Sequence, residues 1–170
     1  MVTVALRRAT LADLDRLAAI HRASARAAYM HIFPPAAEFP REAARAEIAL
    51  HLGNPAMRTS VALRKRRPVG LIVAGPASET VDAMSHDAVG QIHLLHVHPE
   101  AQGIGVGTLL LEDALAEMRA AGRSQAILWV LVANHRARRF YERHGWRSDG
   151  ARRTERHAIP VEVVRYRRTL

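Results

Sequence analysis

Three glycines fall within the seven residues Gln102-Gly103-Ile104-Gly105-Val106-Gly107-Thr108. They follow the apolar run Gln91–Val97, which Pro99 stops. They precede Gly107–Ala121, where Leu111, Leu115 and Met118 recur at helical spacing. The glycines therefore sit in a turn from a strand into a helix. Glycine lets a ligand approach the backbone closely. The first turn of a helix leaves N–H groups unpaired, and its dipole favours anions. The chemistry this offers is phosphate binding. It is not a P-loop, because no Gly-Lys-Ser/Thr closes it, and the dinucleotide spacing Gly-x-Gly-x-x-Gly fails at Thr108 and Leu109. A tight turn with no ligand is the competing reading of these glycines.

A second group lies about thirty residues on, in Asn134-His135-Arg136-Ala137-Arg138-Arg139-Phe140-Tyr141-Glu142-Arg143-His144-Gly145-Trp146. Asn134 and Tyr141 are two helical turns apart, on one face and about 10 Å from each other along the axis. Asn offers an amide donor and acceptor, and Tyr a phenolic proton. Spacing alone also allows Asn134 to be an N-cap and Phe140 and Tyr141 to be core. His93 lies on the strand before the glycines, two residues from Gln91 and on its face. Its ordinary pKa suits proton transfer near neutrality. Alternation sends His96 to the opposite face and His98 precedes a proline, so these three histidines are not expected to share a metal.

The elements that must position these groups follow from periodicity. Val2–Arg8 reads as a strand. Thr10 with Asp13 forms a capping-box variant ahead of a helix to about Tyr29, with Leu14, Leu17, Ala18 and His21 on one face. His31–Pro40 is a loop, and Arg41–Leu52 a helix ended by Gly53. Ser60–Leu63 and Val69–Gly75 form a hairpin around the turn Arg64–Pro68, and Pro76–Ala88 is a polar loop. Ala126–Ala133 is a strand buried on both sides, Asn134–His144 a helix, and two strands follow from Trp146 and over Val161–Arg168. Strands and helices alternate with local hairpins, which gives a mixed sheet in an α/β or α+β fold. The ligand is expected between Gln91 and His144, where strand ends meet helix starts.

At 170 residues the chain reads as one domain, 1–170. It has 49% hydrophobic residues and no cysteine, which excludes a disordered chain, a disulfide scaffold and a thiolate metal site. No apolar run or signal core points to a membrane or to export, so a cytoplasmic location is expected. The net charge of +9 lies wholly in residues 119–170, where 13 arginines face only Glu142, Asp149, Glu155 and Glu162. Twenty-four arginines against one lysine fit a compositional bias, with attraction for a phosphorylated ligand riding on it. Nucleic acid is not expected as a partner: no recognised binding motif is present, and only Trp146 and Tyr166 interleave the charges.

Taken in order, these features resemble the GNAT superfamily of N-acetyltransferases. The resemblance spans about Val2 to Arg168. It is specific in Leu-x-Val-x-Pro-Glu from Leu95, in Gln-Gly-x-Gly-x-Gly from Gln102, and in Asn-x-x-Ala-x-x-Phe-Tyr-x-x-x-Gly-Trp from Asn134. It implies a mostly antiparallel sheet of six to seven strands with about four helices, and a splayed strand pair that binds acetyl-CoA. Residues Gln102, Gly103, Ile104, Gly105, Val106, Gly107 and Thr108 would hold the pyrophosphate. The segment Leu95-His96-Val97 would run beside the pantetheine arm as an added strand. Asn134 would bond the pantetheine amides or position the thioester, and Tyr141 would stand at the sulfur as general acid.

The position of the catalytic Glu in the histone-acetylating branch is Gln91 here, and a Gln is no base. His93 is the candidate in its place. The acceptor would lie near Tyr29, His31, Phe33 and His93. A small-molecule primary amine is the leading acceptor. A protein or peptide amine, or a non-catalytic acyl-CoA-binding module, are the alternatives. Members of the superfamily often pair, which makes a homodimer through the final strand a candidate assembly.

Overall fold

A computed structural model describes residues 3–35, 38–79, 81, 84, 88–156 and 159–170. Val2, residues 36–37 of the first loop, and 80, 82–83 and 85–87 of the polar loop lie outside it. In chain order the elements are β1 (Val4–Arg8), α1 (Leu14–Tyr29), α2 (Arg41–Gly53), β2 (Arg58–Arg64), β3 (Arg67–Pro76), β4 (Val89–Val97), α3 (Val106–Ala120), β5 (Gln125–Leu131), α4 (His135–Arg143), β6 (Arg147–Arg156) and β7 (Pro160–Thr169). Single 3-10 turns at Leu11–Asp13 and Pro99–Ala101 lead toward α1 and α3. Helix ends follow the glycines, since Gly122 and Gly145 take φ of +76° and +80°.

The strands form one sheet in the order β1-β2-β3-β4-β5-β7-β6. Only β4 and β5 run parallel. The final strand β7 is paired on both sides, so its edge is closed, and β6 forms that edge of the sheet. The β2–β3 turn is tighter than the sequence indicates. Lys65 and Arg66 alone make it, with φ of +49° and +63°, and Pro68 enters β3. Both central residues in the left-handed region match the right-handed twist of a two-residue hairpin.

Helices cover both faces of the sheet. On one, Leu17 and Ile20 of α1 and Ile48 of α2 pack on Val61, Leu71 and Val73. On the other, Leu110, Leu111 and Leu115 of α3 pack on Ile72, Ile92, Leu128 and Tyr166. Arg7 clamps the start of α1 by donating to both Asp13 oxygens at 2.7 and 2.8 Å. That bond holds the Asp13 pKa down at about 2. No helix among the described residues is long and apolar enough to cross a membrane.

Candidate active site

The parallel pair does not stay together. β4 bonds β5 only from Val89–Ile92 against Gln125–Leu128. Beyond Ile92, β4 continues against β3 as far as Val97, while β5 continues against β7 as far as Leu131. The cause lies in β4. Val73 faces Leu94 and Ala74 faces Ile92, so His93 is an extra residue, a β-bulge. A bulge bends its strand and sharpens the twist, and this one falls where pairing with β5 stops. A groove of about 620 Å³ opens between the strands and runs from α3 and α4 through the sheet to α1.

One wall is the free edge of β4. The His96 carbonyl lies on the β3 side, at Gly70, and the His98 N–H bonds Val69 O at 2.8 Å. Alternation therefore turns the hydrogen-bonding groups of Leu95 and Val97 into the gap. The Gln102 side chain donates to the Val97 carbonyl at 3.0 Å, which ties the glycine turn to the strand end.

The glycine turn closes the α3 end of the groove. Gly103 and Gly105 have φ of +79° and +88°, and a Cβ on either would meet no atom within 4 Å. The first intrahelical bond of α3 runs from Leu109 N–H to Gly105 O at 3.0 Å. The N–H groups of Val106, Gly107 and Thr108 precede it, and no side chain caps them. Open space in front of three free amides at a helix start fits an anion such as a diphosphate. A Cβ on Gly107 would meet the Phe140 ring at 3.5 Å, an ordinary van der Waals contact, so the turn packs directly on α4 there. Ile104 points outward and is 43% exposed. His144 joins α4 to this turn. Its Nδ1 lies 2.7 Å from Phe140 O, which can only accept, so Nδ1 carries the proton and Nε2 accepts from the Thr108 hydroxyl at 3.0 Å.

Asn134 and Tyr141 both line the groove. The N-cap reading of Asn134 holds: Oδ1 caps α4 by accepting from Ala137 N–H at 3.1 Å, and the side chain also faces the Tyr29 hydroxyl. Tyr29 likewise has two roles, packing its ring on Phe33 and Phe39 while its hydroxyl reaches Asn134. Tyr141 is buried against Phe140 and Trp146. Burial, with Tyr29 adding a little, pushes its phenol well above the ordinary range.

His93 lines the groove half-buried, on the α1/α2 side of the sheet. Its Nε2 lies 3.1 Å from Pro76 O, so Nε2 is the protonated nitrogen and Nδ1 keeps a lone pair. Burial lowers its pKa, the Pro76 carbonyl raises it, and nearby His51 lowers it. Gln91 is occupied elsewhere: its Oε1 accepts from the Ser78 N–H and hydroxyl at 2.9 and 3.0 Å.

His96 does not take the face that simple alternation assigns. The bulge at His93 resets the alternation, so His96 also turns to α1, 3.2 Å from Ser24 Oγ and stacked on His21 at 4.3 Å. Full burial, with His21 adding to it, drops its pKa to about 3. Its backbone still borders the groove, as do those of Leu95 and Val97. On the acceptor side His31 lines the groove, whereas Phe33 does not. Phe33 is buried with Leu131 and Val163 and supports Tyr29 from behind. Sequence reasoning missed Ser24, Trp129, Arg136, Arg143 and His144, all of which line the groove. Arg136, Arg143 and His144 stand on or just past the Asn134 helix, so their spacing to Phe140 held the signal. Ser24 comes from α1, far off in sequence, and Trp129 from the strand just before Asn134.

The Acetyltransferase (GNAT) family model matches residues 17–146. A mycothiol acetyltransferase of Geodermatophilus obscurus is 37% identical over 81 residues, 48% of this chain and 24% of the relative. Another, from Propionibacterium freudenreichii, is 31% identical over 134 residues, 79% of this chain and 40% of the relative. The chain thus spans less than half the length of these relatives. The PaiA N-acetyltransferase of Thermoplasma acidophilum, solved with coenzyme A, superposes with a TM-score of 0.74 over 99% of both chains at 17% identity. A GCN5-related N-acetyltransferase of Rhodopseudomonas palustris gives 0.77 at 23% identity, over 100% of this chain and 98% of the other. At these identities the likeness is one of fold. The family model covers most of the chain and includes both the glycine turn and the helix that faces it, so this protein belongs to the GNAT acetyltransferase family.

Proposed function

We propose that the protein transfers an acetyl group from acetyl-CoA to the primary amine of a small molecule, by direct attack with both substrates bound. The observation that carries this reading is the parting of β4 from β5 after Ile92, with the glycine turn at the mouth of the gap. The free amides of Val106, Gly107 and Thr108 hold the diphosphate. Leu95 and Val97 bond the pantetheine arm through their backbone, as an added strand would. Asn134, fixed by its cap bond and by Tyr29, orients the thioester end.

When bound, acetyl-CoA supplies an activated acyl carbon and a thiolate leaving group. A backbone N–H of the unpaired β4 edge donates to the thioester oxygen as charge builds there. His93 Nδ1 takes the proton of the attacking amine. Tyr141 donates to the departing sulfur. Its raised pKa keeps it protonated at every working pH and also makes full surrender of the proton harder, so its first contribution is a hydrogen bond. Placing amine and thioester together in the groove supplies much of the rate.

A groove of about 620 Å³ is of small-molecule size, and α1 with Tyr29 walls its acceptor side. The test is release of free thiol from acetyl-CoA across a panel of polyamines, amino sugars, amino acids and peptide N-termini. Turnover with a small amine is expected. Turnover with peptide amines alone would overturn the small-molecule acceptor. Tight acetyl-CoA binding with no turnover on any amine would leave the non-catalytic binding module as the better account.

A further inference from the structure

The arginine excess of the last third separates into two groups. On the β6–β7 hairpin most of the arginines have partners: Arg152 meets Glu162 at 3.1 Å, Arg153 meets Glu79 at 3.4 Å, and Arg165 and Arg167 meet Asp149 at 2.7 and 3.3 Å. Arg168 meets Glu112 of α3 at 3.3 Å. On α4 it is otherwise. Arg138 is spent on the Tyr166 hydroxyl and the Val132 carbonyl, both at 3.1 Å. The Arg136 and Arg143 guanidinium groups bond no described residue. Both are exposed, and both line the groove.

Their spacing is what the helix needs for one purpose. Seven residues turn an α-helix through nearly two full turns, which leaves Arg136 and Arg143 within about 20° of each other on its surface. Phe140 lies between them on that face, against Gly107 at the start of α3. Arg143 adjoins His144, which bonds Thr108. Two unpaired cations thus flank the groove just outside the amides assigned to the diphosphate. Coenzyme A carries a further phosphate on its ribose, a dianion that the three amides of α3 cannot also hold.

We infer that Arg136 and Arg143 form a second anion subsite that takes the ribose 3′-phosphate, so that the enzyme distinguishes acetyl-CoA from its 3′-dephospho form. This rests on the proposed use of acetyl-CoA. Guanidinium groups suit a phosphate because they donate in pairs and stay charged. The site lies at the surface, so its contribution falls as salt rises.

The experiment is calorimetric titration of the whole chain with acetyl-CoA and with 3′-dephospho-acetyl-CoA. The wild type is expected to bind the first about tenfold more tightly, which is about 1.4 kcal/mol. In the double variant Arg136→Ala/Arg143→Ala the two donors should bind alike, with an unchanged thermal melt. The control Arg152→Ala/Arg156→Ala removes the same two charges from the hairpin and should keep the tenfold gap. A double variant that keeps the gap, or a wild type with no gap, overturns the subsite while acetyl-CoA use stands. Failure of both donors to bind the wild type overturns the subsite together with the proposed function beneath it.

Discussion

On the α3/α4 face of the sheet the groove meets backbone at the start of α3, and beside it the α4 side chains Asn134, Tyr141 and His144. Amides at the start of α3 and the unpaired edge of β4 line it, and arginines stand at its rim. On the α1/α2 face it meets side chains: Tyr29, backed by Phe33 and Phe39, and His31, His93 and His96, with His21 and His51 packed behind the last two. His21, His51, His93 and His96 come together there from α1, α2 and β4, and burial lowers the pKa of each. On the proposed function, one face holds a polyanion whose shape does not change, and the other presents neutral side chains to a variable acceptor. The difference shows why the donor side is readable as a motif and the acceptor side is not.

The strongest blow to the donor side is Gly105→Val. Any side chain at φ +88° is strained by about 1–2 kcal/mol, and a branched one also fills the space before the free amides. Affinity for acetyl-CoA should fall more than about a hundredfold, or about 2.7 kcal/mol, by calorimetry. The melting temperature should drop only a few degrees. Binding retained within a few fold would show that backbone amides do not hold the donor. Next comes Tyr141→Phe, at the junction of the two faces. General acids commonly contribute 10²–10⁴-fold. Because burial holds this phenol above its ordinary range, the loss in kcat should lie at or below the bottom of that span, about ten- to a hundredfold, with acetyl-CoA affinity nearly unchanged. Equal rates for the two proteins would remove Tyr141 from proton transfer.

The same contrast decides what the sequence could reveal. Helix ends were marked by Gly122 and Gly145, and the cap by Thr10 and Asp13, because each is a local backbone requirement that few residue types meet. Asn134 and Tyr141 were found because one helix carries both. The bulge at His93 had no such mark: no glycine or proline stands there, and it exists because β3 and β4 fall out of step by one residue. From that slip follow the parted strands and the reversed face of His96. The turn at Lys65–Arg66 was likewise hidden, since neither residue is a usual occupant of the left-handed region. Ser24 reaches the groove only through packing of α1, distant in sequence.

The imidazole side should betray itself in stability rather than in binding. His96 is neutral in the fold, with a pKa of about 3, whereas the unfolded chain takes up that proton near pH 6.5. A folded pKa below the unfolded one favours the unfolded state as pH falls, so stability is lost from about pH 6.5 downward. Between pH 7 and 5 this one residue accounts for about 2 kcal/mol. His96→Asn places an amide where Nδ1 meets Ser24 and cannot ionise. Its denaturant-unfolding free energy should start lower at pH 7, for lost packing, and then fall about 2 kcal/mol less than wild type by pH 5. Parallel curves for the two proteins would mean that His96 is not buried and neutral.

The smallest effect tests whether an imidazole on that side does chemistry at all. His93 is held by Pro76 O in the tautomer that leaves Nδ1 free, and burial keeps it neutral at pH 7. As a base it must be unprotonated, so kcat/KM should fall as pH drops through its pKa, which lies below the ordinary 6.5. His93→Gln replaces the imidazole with an amide that cannot take a proton. Water in the half-open groove can still accept one, so the expected loss at pH 7 is only about tenfold, below the usual span for a general base. The sharper sign is the profile: the acid limb should disappear from the variant except for the titration of the amine itself. A tenfold loss with the acid limb intact would make His93 a wall of the acceptor pocket, and the two faces of the groove would then differ in shape alone.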